Sequence, residues 1–159
     1  MRIANVLAFF LVATLVWGCQ KEEMSAIPKI TFIKQDSYQV PDSGIGVQDP
    51  ILFTFNFQDG DSDIGPIGEQ APLMNNIHFV DSRSEEITRY FFPRIPTDIV
   101  TSDGISGSFT VALNPTTLIA RDDTTIHKFT DTLRFKVFVI DGQQNVSNEV
   151  LTDSIVIVK

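Results

Sequence analysis

Apolar and polar residues alternate along most of the chain after Lys29, and Gly, Pro, Asp and Asn interrupt the alternating runs. A period of two marks strands with one buried face, and no long helical period competes with it. Residues 29–33 predict a first strand. Residues 36–50 predict a loop, with a short edge pairing around Tyr38, Gln39 and Val40. The clearest run is 51–58, where Ile51, Phe53, Phe55 and Phe57 share one face and Thr54, Asn56 and Gln58 the other. Residues 76–80 follow, then a turn at Asp81 to Ser84 and a strand over 87–92, stopped by Pro93 and Pro96 because proline lacks the N–H donor. Residues 106–113 point Phe109, Val111 and Leu113 inward and end at Asn114 and Pro115. Residues 116–130 have no clear period and allow a short helical turn. Residues 133–140 place Leu133, Phe135, Val137 and Val139 on one face, and 150–158 close the sheet.

About seven antiparallel strands separated by turn signals predict an all-β fold, an immunoglobulin-like β-sandwich occupying residues 28–159 as one domain. The cysteine pair and core tryptophan of antibody domains are absent. The only tryptophan, Trp17, lies outside this region, and the core is built from Phe, Ile, Val and Leu.

The N-terminus departs from this pattern. Arg2 precedes an apolar run from Ile3 to Trp17, broken only by Asn5 and Thr14, and Gly18 follows it. A spanning helix needs about 20 apolar residues, so this run is short for one. A basic start, a short apolar stretch and a small residue at the cut predict a signal peptide over residues 1–18. Its loss removes Arg2 and takes the net charge from −8 to −9. So acidic a surface argues against nucleic acid and against anionic lipid headgroups, and it suits divalent cations. Cys19 is the only cysteine, which excludes an internal disulfide.

One local feature carries candidate chemistry. The strand over 51–58 runs into Asp59, Asp61 and Asp63, three carboxylates at alternate positions with Gly60 between the first two. Calcium takes six to eight oxygens at about 2.3–2.6 Å, so these could fill part of a shell. The segment is not an EF-hand, since Ile64 stands where that loop needs Gly and Gln70 where it needs Glu. In an immunoglobulin-like sandwich the loop after the second strand and the loop after the sixth lie at one end. Asp141 and the Asn145 side-chain oxygen could then complete the site. Asp49 belongs to the opposite end, whereas residues 20–27, a short tether ahead of the first strand, enter near the two loops, so that Glu22 or Glu23 could approach. The plainer alternative is a solvated turn whose Asp side chains bind turn N–H groups without metal. Against it stands the mutual repulsion of three carboxylates, roughly 1 kcal/mol per pair in solvent.

No catalytic constellation emerges, and the expectation is a protein that is not an enzyme. His78 and His127 are the only histidines, and each is expected on the surface, His78 because it alternates with Ile77 and Phe79. No nucleophile elbow or phosphate loop is present. Glu85 and Glu86 are adjacent, so on a strand they would face opposite ways.

Val16, Trp17, Gly18 and Cys19 resemble a bacterial lipobox, with Trp17 bulky for its position. The resemblance implies that Cys19 is lipidated and becomes the mature N-terminus, which makes residues 19–27 a lipidated tether. More than one acyl chain anchors stably. Gln20, Lys21, Glu22 and Glu23 resemble the export tag of surface lipoproteins in the Bacteroidetes group. The stretches FNFQDGDSDIG, FFPRIP and DTLRFKVFVIDGQQNVSNEV resemble small lipoproteins of that group with an immunoglobulin-like or cadherin-like domain. The address implied is the outer membrane, at the cell surface or on the periplasmic side. The function expected is a non-enzymatic structural or adhesive module, stiffened by calcium. The alternative is a glycan- or protein-binding accessory lipoprotein of an outer-membrane uptake system. Tyr38, Tyr90, Phe91 and Phe92 are its candidate stacking residues: two on one exposed face would favour it, and burial of Phe91 or Phe92 would favour the first.

Overall fold

The computed structural model describes residues 23–41, 49–118 and 130–158, and Cys19, Glu22 and His127 lie outside them. Among the described residues ten short strands form: β1 (Lys29–Gln35), β2 (Gln39–Pro41), β3 (Ile51–Asp59), β4 (Ile77–Asp81), β5 (Ile87–Tyr90), β6 (Ile105–Leu113), β7 (Thr130–Leu133), β8 (Phe135–Val139), β9 (Val150–Leu151) and β10 (Ile155–Val158). They pair as β1-β3-β6, β5-β4-β8-β9 and β2-β10-β7, all antiparallel except β2 with β10. The immunoglobulin-like sandwich is therefore present, with the short pairing around Val40 as a parallel edge.

Two predicted strands are each divided. Leu133 ends β7, which pairs β10, and Phe135 begins β8, which pairs β4 and β9. The reason lies in Thr152 and Ser82. The Thr152 hydroxyl accepts the Phe135 N–H at 3.0 Å. Arg134 exchanges backbone contacts with Ser82 instead of continuing the ladder: its N–H donates to the Ser82 hydroxyl, and its carbonyl accepts from the Ser82 N–H. The ambiguous segment begins with a 3₁₀ turn at Pro115–Thr117, capped by Asn114.

The core is aromatic. Phe55 stacks on Phe109 within one sheet at 5.2 Å, while Phe53 and Phe55 meet Phe79 of the other sheet edge-on at 5.4 and 6.0 Å. Alternation in β3 delivers these rings to one side, and its other face is exposed or half-buried. Two expectations fail locally. The second predicted strand of the hairpin stops at Tyr90, so Phe92 swings into the core instead of lying in a strand. His78 lies on the side away from Phe79 yet is only 6% exposed. Phe138 stacks on it at 4.7 Å and Arg89 donates to its Nε2 at 3.0 Å.

Candidate metal centre

β3 ends at the same end of the sandwich as β8, so their following loops meet. The Gly142 N–H donates to the Asp63 carbonyl at 3.1 Å, and the Asn76 amide donates to the carbonyls of Ile64 and Ile140 at 2.8 and 2.7 Å. One buried side chain thus joins the residue after Asp63 to the residue before Asp141.

Asp59, Asp61, Asp63 and Asp141 each bring a carboxylate oxygen into one cluster, all within 4.8 Å of one another. Asp59 is fully buried, and its Oδ2 accepts the N–H groups of Asp63 and Ile64 at 2.7 and 2.9 Å. Ser62 has a positive φ of 64°, uncommon for a residue with a side chain, and it stands between Asp61 and Asp63. Its conformation turns the chain so that both carboxylates reach the cluster. Gly142 packs on Asp63: an added Cβ would sit 3.0 Å from its Oδ2.

A solvated turn would leave its carboxylates in water or hydrogen-bonded. Here Oδ1 of Asp59, of Asp61 and of Asp63 is buried without a hydrogen-bond partner. Burial pushes the Asp59 carboxyl up to about 6 against the pull of its two N–H donors, with the Asp61 charge adding to the rise. Asp63 is likewise pushed up to about 6, by burial first and then by the charges of Asp141 and Asp61. Buried anionic oxygens held this close without donors are what a cation neutralises, and the four residues could hold a metal ion.

Asn145 takes another place than the expected one. Its amide nitrogen, not its oxygen, faces Asp141, donating to Oδ2 at 2.9 Å, and its N–H donates to Oδ1 at 2.7 Å. It therefore orients Asp141 from behind. Gln143 does the same for Asp61, donating to Oδ2 at 2.6 Å. Neither role, nor that of Asn76, has a sequence signal, because each depends on which loops meet. Glu23 is exposed and outside the cluster, as is Asp49.

The aromatic candidates do not converge. Phe92 is 1% exposed, against Phe57 and Phe109, and Tyr90 is half-buried against Phe79. Phe91, 58% exposed, follows edge strand β5, and Tyr38 precedes β2, at the other margin of the sheets linked through β7–β8 and β9–β10. Glu85 and Glu86 sit in the turn before β5, both exposed, with Glu85 at a positive φ of 58°. Among the described residues no helix is long and apolar enough to cross a membrane. The chain matches no family model, no curated protein and no solved structure.

Proposed function

We propose that this protein is a non-enzymatic, lipid-anchored surface lipoprotein whose sandwich carries a calcium ion at the end where the tether enters. The observation that carries the calcium reading is the set of three buried, unpartnered oxygens from Asp59, Asp61 and Asp63, closed by Asp141 from the second loop. All four donors are hard carboxylates, the set calcium prefers, and among the described residues no His or Cys joins them. Oxygens within 4.8 Å of each other fit around one ion at calcium distances, about 2.3–2.6 Å from each. Anchoring through Cys19 and an outer-membrane or surface address rest on the N-terminal sequence. Among the described residues, the burial of Phe92 and the separation of Tyr38 from Phe91 favour this reading over the glycan-binding alternative.

The test is a thermal melt of the purified chain in EDTA and in millimolar calcium. Extracellular calcium sites bind at roughly 0.1–1 mM, and ten times the dissociation constant adds about 1.4 kcal/mol. That predicts a rise of roughly 3–6 °C for a domain of this size. Asp61→Asn should abolish it. Equal melting in EDTA and calcium would refute the reading.

A further inference from the structure

The calcium site also bears on the tether. The Gly60 N–H donates to the Ser25 carbonyl at 2.8 Å, and a Cβ on Gly60 would lie 2.3 Å from the Met24 carbonyl oxygen. The side chains before and after Gly60, those of Asp59 and Asp61, both reach the carboxylate cluster. Gly60 itself faces the other way, against backbone that leaves no room for a side chain. On the far side of this segment, a Cβ on Gly104 would lie 2.3 Å from the Asp59 carbonyl. The Asp59–Gly60 backbone is thus held between the tether and the turn before β6. The tether has its own local order: the Ile27 N–H donates to the Ser25 hydroxyl at 3.0 Å, and Pro28 is buried. Asn148, just beyond the second loop, then grips β1 by exchanging hydrogen bonds with the Ile30 backbone, each at 2.9 Å.

We propose that occupancy of the carboxylate cluster controls docking of the tether, residues 23–27, through Gly60. This rests on the cation-binding reading and extends it to regulation. An ion that draws Asp59 and Asp61 together fixes the peptide between them, and with it the direction of the N–H that holds Ser25. Without the ion, the unpartnered oxygens of Asp59, Asp61 and Asp63 repel, the loop opens, and the tether loses its partner. The consequence for an anchored protein is an ion-dependent angle between the domain and its membrane attachment. Linkage requires the reverse as well: a docked tether must raise ion affinity by the same factor by which the ion favours docking.

The experiment combines hydrogen exchange and calorimetry on the full chain in detergent. Exchange of residues 23–30 is compared in millimolar calcium and in EDTA, with the turn between β4 and β5, at the opposite end, as reference. Calcium should slow tether exchange at least about fivefold, the lower end of ordinary coupling, and leave the reference unchanged. Gly60→Ala should remove that protection and weaken calcium binding by a similar factor. Calcium binding by calorimetry with tether exchange unaltered would overturn the coupling and leave the cation reading standing. Absence of calcium binding would overturn both. If Gly60→Ala fails to fold, the wild-type comparison and Asp61→Asn, which keeps Gly60, still decide.

Discussion

The peptide N–H of Gly142 donates to the carbonyl of Asp63 across 3.1 Å, joining two loops 79 positions apart in sequence. That contact helps turn a strand ending in carboxylates into a candidate metal centre, because it brings Asp141 beside Asp63. Asn76 fixes the same juncture from inside the sandwich, with its amide on the carbonyls of Ile64 and Ile140.

Removing that amide should therefore damage both the fold and the site. Asn76→Ala leaves two carbonyls without their donor, a loss of about 1–3 kcal/mol. Asn76→Asp should be worse, since it sets a carboxylate against two carbonyl oxygens. Chemical denaturation measures the first effect. Calcium calorimetry on whichever variant folds should show weaker binding than wild type.

In the metal-free protein the raised carboxyls of Asp59 and Asp63 fix the direction of pH dependence. A folded-state value near 6 against an ordinary 3.8 means that the folded protein holds these protons more tightly. Their contribution is fully present below the ordinary value and is lost as pH rises through about 6. Melts in EDTA should thus decline across that window relative to Asp59→Asn. The stabilisation proposed for calcium should grow across the same window, because a cation would be taken up by the ionised carboxylates.

His78 has the opposite sign. Burial, with Arg89 facing its Nε2, lowers its protonation below the usual 6.5, although the Asn76 carbonyl at Nδ1 pulls the other way. The stability it supports is present above 6.5 and is lost as pH falls through the lowered value. Acid melts of His78→Gln in EDTA should decline less steeply than those of wild type below that point. A parallel decline would mean that the ring tolerates its charge where it lies.

Neighbouring phenylalanines should behave differently. Phe92→Ala empties a core position against Phe57, Phe109 and Gly65, at a cost of about 3–5 kcal/mol. Phe91→Ala removes an exposed ring and should stay within about 0.5 kcal/mol. Urea unfolding of the two variants separates them. A large loss at Phe91 would show that its ring is covered.

The strands and their faces were legible because a side chain's side of a strand follows from local backbone geometry alone. Ile51 to Phe57, Phe109 to Leu113 and Leu133 to Val139 all turn inward as their alternation requires. The three alternating aspartates were equally local, and placing Asp141 beside them required only the order of strands in a sandwich. Other features depend on neighbours distant in sequence. Thr152 and Ser82 divide strands that period alone would run together, and Phe138 and Arg89 bury a histidine that alternation placed outside. Asn145 was expected to offer its oxygen and instead presents its amide to Asp141, because a carboxylate already faces it. Local chain chemistry sets the alternation, the acidic loop and its glycine. The tertiary structure decided which oxygens lost their water, and which backbone Gly60 must leave room for, because burial and contact depend on how separate segments close on one another.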